Sequence, residues 1–133
     1  ATPGFSNIRE LQLLREAGLH TLEVLKAATY NSARTLRQPE LGLVRPGFLA
    51  DLVIVDGSPL YNLRFMYSFG ALTLDDDGAM IRTNGIVHTI KDGIVIENQR
   101  LMEEVERMVA ASKQGIGVDA VREPFITITP RQE

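Results

Sequence analysis

Two histidines, two spaced aspartates, one acidic run and one aromatic stripe are the residues of this chain whose types could do chemistry. His20 and His88 are its only histidines. A zinc site shows a second histidine or a carboxylate close by at a short, fixed spacing, and neither histidine has such a companion. His20, between two helical patterns, is expected to satisfy backbone groups near a helix end. His88, inside an apolar strand pattern, is expected to face solvent or a polar neighbour on the less buried side. Asp51 and Asp56 invite comparison with the paired carboxylates of acid–base catalysis. An extended strand advances about 3.3 Å per residue, which sets them about 16 Å apart, and their odd separation sends them to opposite faces. Paired catalytic carboxyls sit closer than that. Local hydrogen bonds are expected instead, from Asp51 to the turn after Pro46 and Gly47 and from Asp56 to the turn before Pro59.

The run Asp75, Asp76, Asp77, Gly78 resembles a calcium loop only superficially. With Gly78 on that loop's invariant glycine, Thr73 falls on the first ligand position and Asn84 on the last, where an aspartate and a bidentate glutamate are required. A solvated hairpin tip is the expectation. Tyr61, Leu63, Phe65, Tyr67 and Phe69 alternate with polar or flexible residues, the period of a strand with one apolar face. A platform for nucleic-acid bases also needs cations along the groove, and only Arg64 is interleaved. The stripe is therefore read as a core face or as a contact with other protein. No nucleophile elbow, phosphate loop or dinucleotide fingerprint is present, since Gly115-x-Gly117 lacks the flanking strand and helix.

Length and composition bound the rest. A chain of 133 residues, 44% hydrophobic and 23% charged, supports one soluble domain with a modest core. Its formal charge of −3 gives no drive toward nucleic acid, which needs a clustered positive surface. Cysteine is absent, so disulfides, thiolate-bound zinc and cysteine nucleophiles are excluded. No apolar run approaches the roughly 20 residues of a membrane span. The Leu101–Val109 stripe carries too many acids on its polar face for an anionic membrane surface.

The elements that position these residues fall into two halves. Ser6 or Asn7 is expected to cap a helix with Ile8, Leu11, Leu14 and Ala17 at helical spacing and Gly18 as its stop. Thr21 is expected to cap a second helix carrying Leu22, Leu25 and Ala28, with Glu23 in the positive first turn. Thr29 or Asn31 is expected to restart a third through Leu36. From Leu43 onward the pattern turns strand-like. Pro46 and Gly47 suit the centre of a type II turn. Leu52–Val55 is a β-branched run of the kind buried on both faces, stopped by Asp56 to Pro59. Short strands follow at Ala71–Leu74 and Ala79–Arg82. Asp92 and Gly93 mark a hairpin between Ile86–Ile90 and Ile94–Glu97. Asn98 is expected to cap a last helix with Leu101, Met102, Val105, Met108 and Val109 as its stripe, ending near Gly115. A short edge strand between Pro124 and Pro130 closes the reading.

The stretch from Ala28 to Leu60, with its helix end, Pro-Gly turn, Ala50-Asp51-Leu52-Val53 and terminating Asp56, resembles the C-terminal section of metal-dependent amidohydrolases, the imidazolonepropionase-like and prolidase-like branch. The likeness is close over the first half and looser to about Glu97. It implies a parent that hydrolyses amide and related C–N bonds at one or two divalent metals, zinc first, at the mouth of a (β/α)8 barrel. The ligands of that family lie in the barrel: a His-x-His pair, a carboxylated lysine or glutamate, two further histidines and an aspartate closing the eighth strand. None of these can be placed here, and the barrel needs about 250 residues.

The chain opens at Ala1 without an initiator methionine, and Phe5 to Leu11 resembles the segment after the last barrel aspartate. We therefore expect a C-terminal piece starting just downstream of that residue, with no catalytic residue and no metal site of its own. Phe5, Ser6 and Asn7 would then be the residues adjacent to substrate. The expected fold class is α+β. Residues 1–40 are a helical segment like the end of the barrel, 41–98 part of a small composite β-sandwich, and 99–133 a C-terminal helix and tail. The expected partners are the missing barrel and N-terminal sandwich strands, with a homo-oligomer or domain-swapped dimer in their absence, and neither nucleic acid nor membrane. Two rival readings stay open: a free-standing oligomerisation or protein-interaction module, and a small independent enzyme. Dipeptides, cyclic amides, acyl-amino acids and halogenated or aminated heterocycles all remain as substrates. A soluble, cytoplasmic location is the first expectation, with a secreted parent left open.

Overall fold

Helix α1, Phe5–Glu16, already contains both expected caps, so Ser6 and Asn7 are helical residues and not caps. It stops where expected. Gly18, at φ 104°, lets its own N–H reach Arg15 O at 3.1 Å and the Leu19 N–H reach Leu14 O at 3.2 Å, the paired bonds that close a helix through a left-handed residue. The computed structural model describes residues 5–115, so the edge strand expected between Pro124 and Pro130 lies outside the described residues.

The second and third helices form one run rather than two. It comprises α2, Thr21–Lys26, a π turn, Ala27–Asn31, and α3, Ser32–Thr35. His20, not Thr21, stands at the cap position, and its N–H donates to the Glu23 carboxylate at 2.7 Å. The expected break at Thr29 or Asn31 is absent because hydroxyls satisfy the widened turn. Thr29 donates to Leu25 O at 2.8 Å, Ser32 to Ala27 O at 2.7 Å and Thr35 to Asn31 O at 3.0 Å, so residues that favour helix ends are accommodated inside the run.

Between helices and strands, Phe48 N–H closes on Arg45 O at 3.2 Å with Gly47 at φ 86°, the type II turn read from Pro46 and Gly47. Among the described residues the strands are β1, Leu52–Asp56; β2, Leu72–Leu74; β3, Met80–Arg82; β4, Gly85–Lys91; and β5, Ile94–Glu97. They make two antiparallel sheets, one ordered β1-β4-β5 and one β2-β3. Asp92 and Gly93, at φ 51° and 80°, turn β4 into β5 as an Asp-Gly pair should. Asp75 to Gly78 form the tip between β2 and β3, where Asp75 Oδ1 accepts from the Asp77 and Ala79 N–H groups at 3.1 and 2.8 Å.

Two expectations about the strands are corrected. β1 is not buried on both faces: it lies at an edge of its sheet, and Val53 and Ile54 are 50% and 47% exposed. Its β-branched composition suits a covered strand, but the described residues do not supply the cover. Residues 61–69 are not a strand either. Leu63–Met66 form a 3-10 turn, opened by the Asn62 side chain accepting from Arg64 N–H at 3.0 Å. An Asx residue offering this local bond competes with sheet pairing. Leu63 and Phe65 are buried there, whereas Tyr61 is 92% exposed.

The last helix, α4, spans Asn98–Gly115. Asn98 is buried and sends its amide to Ser68 O at 3.3 Å, so its side chain ties α4 to the preceding loop instead of capping the helix. α4 touches β4 and β5, yet Leu101, Val105, Met108 and Val109 stay exposed, leaving much of the expected packing stripe open. Among the described residues the buried apolar core is small: Val24, Ala33, Leu63, Phe65 and Ala71. The 3-10 turn is its hub, since it packs against α1, β1 and β4.

Candidate functional site

Three aromatic rings meet at the head of α1. Phe5, its first residue, lies 5.8 Å from the Tyr67 ring and 5.2 Å from the Phe69 ring, and the latter two stack at 5.2 Å with 24° between their planes. These separations are those of favourable offset or tilted ring pairs. The Tyr67 hydroxyl donates to Gln12 Oε1 at 3.2 Å. Phe5 and Gln12 are two turns apart on α1 and share one face, so a single helix supplies the first ring and the polar anchor. Phe5 and Phe69 nevertheless stay 49% and 45% exposed.

The segment bearing Tyr67 and Phe69 is held at every carbonyl. Tyr67 O accepts from Gly70 N–H at 3.0 Å and Ile86 N–H at 3.4 Å, Ser68 O from Asn98, and Phe69 O from Arg82 Nη1 at 3.1 Å. The backbones approach so closely that only glycine fits. A Cβ on Gly85, at φ 69°, would stand 1.9 Å from Tyr67 O, and one on Gly70, at φ 74°, 1.8 Å from Thr83 O. Close approach of two chains and a positive φ are the two demands glycine meets without strain.

Of the residues read as substrate-adjacent, Phe5 joins this cluster. Ser6 and Asn7 lie beside it in the first turn of α1 and make no side-chain hydrogen bond among the described residues.

The two aspartates do not act locally. Asp51 Oδ1 accepts from Asp92 N–H at 2.9 Å and Oδ2 from Lys91 Nζ at 2.8 Å. The Asp92 N–H first, then Lys91, hold the Asp51 carboxyl below the usual range, and Asp51 followed by Asp92 holds the Lys91 ammonium above its own. Asp56 Oδ2 accepts from Asn84 N–H at 2.8 Å. The carboxylates thus clamp opposite ends of the β1–β4 ladder, whose register runs from Leu52 opposite Ile90 to Asp56 opposite Gly85. That antiparallel pairing brings distant donors nearer than the turns do.

His20 lies at the start of α2 as described, far in sequence from any second histidine. His88 is opposite Ile54 and Glu97 in the sheet, and its Nδ1 is buried without a hydrogen-bond partner among the described residues. The expectation that it faces solvent or a polar neighbour does not hold for that nitrogen. Among the described residues no group of three or more histidine, aspartate or glutamate side chains could hold a metal ion. The acidic run spends Asp75 on its own turn, and the two histidines lie on separate elements. The described residues therefore do not fit a divalent metal.

Gln12, Arg82 and Asn98 are side chains of the cluster's support that the sequence reading missed in these roles. Gln12 carried a signal, its helical spacing from Phe5. Asn98 carried none, because a helix-start asparagine reads as a cap.

The model of the amidohydrolase family matches residues 4–96, and the chain belongs to that family. It is similar to the adenine deaminase of Serratia proteamaculans (strain 568), 40% identical over 63 residues that cover 47% of this chain and 11% of the relative. It is also similar to the adenine deaminases of Petrotoga mobilis (strain DSM 10674 / SJ95), 31% identical over 67 residues covering 50% and 12%, and of Geobacillus kaustophilus (strain HTA426), 36% identical over 62 residues covering 47% and 11%. The matched segment thus spans about a tenth of the length of these relatives. No solved structure matches the chain at a significant level.

Proposed function

We propose that this chain is the C-terminal support of a metal-dependent amidohydrolase, one that hydrolyses a C–N bond with water. The water oxygen bonds to the carbon, the C–N bond breaks, and nitrogen leaves as an amine or ammonia carrying the proton. The family match over residues 4–96 carries this reading. The divalent ion, zinc first, is assigned to residues outside this chain. Within the family we favour the imidazolonepropionase-like and prolidase-like branch on the pattern from Ala28 to Leu60. The similarity to adenine deaminases adds deamination of a ring amine as a second substrate class.

We also propose that the open faces of β1, β4 and β5 receive upstream strands of the same protein and, in their absence, a second copy. The exposure of Val53, Ile54, Val95 and Ile96 supports this. The same surface favours the rival reading, a free-standing interaction module.

One experiment separates them. The reading frame is extended upstream, the longer protein is expressed, and amine or ammonia release is measured from adenine, a dipeptide, a cyclic amide and N-acetylglycine, with the isolated chain alongside. The longer protein is expected to hydrolyse at least one substrate and to lose this on chelation, while the isolated chain turns over none and retains no stoichiometric zinc. A start codon immediately before Ala1, or chelation-sensitive turnover by the isolated chain, overturns the reading.

A further inference from the structure

We propose that Asn84 and Gly85 form a self-modifying joint. There the Asn84 side-chain amide is hydrolysed without an enzyme, and the product loosens the seam between β4, the loop from Tyr67 to Gly70 and the head of α4. The chemistry is intramolecular. The Gly85 backbone nitrogen gives up its proton to solvent and bonds to Asn84 Cγ, and Nδ2 departs as ammonia with a proton taken from water, leaving a five-membered imide. Water then adds to the imide and breaks one of its two C–N bonds. Breaking the bond to Cγ gives aspartate, and breaking the bond to the main-chain carbonyl carbon gives isoaspartate, with the chain routed through Cβ. Water is the only co-reactant.

Three observations single out this asparagine among the five in the chain. Asn84 alone is followed by glycine, which sets no Cβ beside the attacking nitrogen. It is exposed and lies between β3 and β4, outside both. By contrast, Asn7, Asn31 and Asn98 sit in helical turns, and Asn62 Oδ1 is held by the Arg64 N–H. Finally, Gln99 Nε2 donates to Asn84 Oδ1 at 2.8 Å, a donor placed on the oxygen where negative charge builds up during the attack. Asn84 Nδ2, the leaving group, makes no hydrogen bond among the described residues.

The joint has no slack to absorb the product. The Asn84 N–H donates to Asp56 Oδ2 at 2.8 Å, so a carboxylate in place of the Asn84 amide sets a second negative charge near that of Asp56. Gly85 is buried, and a Cβ there would stand 1.9 Å from Tyr67 O and 2.7 Å from Gly70 N. Isoaspartate inserts an extra methylene into the backbone immediately before this contact, and close packing turns such a change of length into displacement of the neighbours.

The test uses the protein in the longest form its reading frame encodes, aged at mildly alkaline pH in oxygen-labelled water. The tryptic peptide Thr83–Lys91 is expected to gain the label, and the mass change of NH2 to OH, before any other asparagine peptide, with isoaspartate detected by an isoaspartate-specific methyltransferase. Conversion in the folded protein is expected to stay within about tenfold of that in the same protein unfolded in urea, a barrier difference under about 1.4 kcal/mol. Gln99→Ala is expected to slow it. Ageing should lower the urea midpoint of the unaltered protein but not that of Asn84→Gln, whose longer side chain forms no five-membered imide, and Asn84→Asp should start from a lowered midpoint. A folded protein that keeps Asn84 intact while the unfolded one loses it, faster conversion in Gln99→Ala, or conversion without loss of midpoint overturns the proposal.

Discussion

Asp51, just before β1, and Asp92, at the tip of the β4–β5 hairpin, are joined by a 2.9 Å hydrogen bond from the Asp92 N–H to Asp51 Oδ1, with Lys91 on the other carboxylate oxygen. The bond fixes one end of the ladder, and it makes stability depend on pH at both extremes. The Asp51 carboxyl is held below its ordinary value of about 3.9, so its contribution is present above that value and is lost as pH falls through the lower folded one. Lys91 is held above about 10.4, so its contribution is fully present below that value and is lost as pH rises through the higher folded one. Lys91 is exposed and Asp51 only partly covered, so the effects are small and weaken with salt. Urea midpoints measured from acid to neutral pH should show a shallower acid loss in Asp51→Asn than in the unaltered chain. Identical acid slopes would show that the clamp contributes nothing.

Gly85 and Gly78 both have positive φ, 69° and 78°, but differ in what surrounds them. A Cβ on Gly78 meets nothing within 4 Å, whereas one on Gly85 collides with Tyr67 O. Gly78→Ala should therefore cost only the left-handed backbone penalty, about 1–2 kcal/mol. Gly85→Ala should cost clearly more, because the loop bearing Tyr67 and Phe69 must separate from β4. Chemical denaturation of the two variants side by side decides this, and equal costs would contradict the close approach.

The parts of the fold that were legible in the sequence are those set by short-range chemistry. Pro46 with Gly47, Asp92 with Gly93, and Asp75 to Gly78 each specify a turn through φ limits or a side-chain bond to nearby N–H groups, and each turn forms as read. Burial was not legible at Val53 and Ile54, because a strand's composition reports the cover it is suited to and not the cover it finds. The segment from Tyr61 to Phe69 misled for another reason. Alternation of apolar residues also fits a chain that winds through a 3-10 turn, and Asn62 tips the choice by bonding Arg64. The family resemblance drew attention to Phe5. The convergence of Tyr67 and Phe69 on it could not be read, since it depends on contacts made through Asn98, Arg82 and Gly85.

Phe65 and Tyr61 test that corrected geometry directly. A strand with one apolar face would bury both rings on the same side, whereas the 3-10 turn buries Phe65 and leaves Tyr61 in solvent. Phe65→Ala should destabilise by about 3–5 kcal/mol, and Tyr61→Ser should stay within about 0.5 kcal/mol. Comparable losses from the two substitutions in urea denaturation would restore the strand.

The association state of the isolated chain follows from its uncovered sheet. Among the described residues β5 pairs with β4 alone, so these residues leave its outer edge without a partner strand. Its residues Ile94, Val95 and Ile96 are exposed, as are Val53 and Ile54 on the far strand. Apolar edges of this kind recruit another strand unless a charge blocks them. Sedimentation at micromolar concentration should show dimers or larger species, together with binding of an apolar-surface dye. Val95→Lys should shift the population toward monomer, because a pairing partner would have to bury or displace the ammonium. A chain that sediments only as monomer and binds no dye would show that the sheet is complete without a partner, and the proposed seat for upstream strands would then be lost.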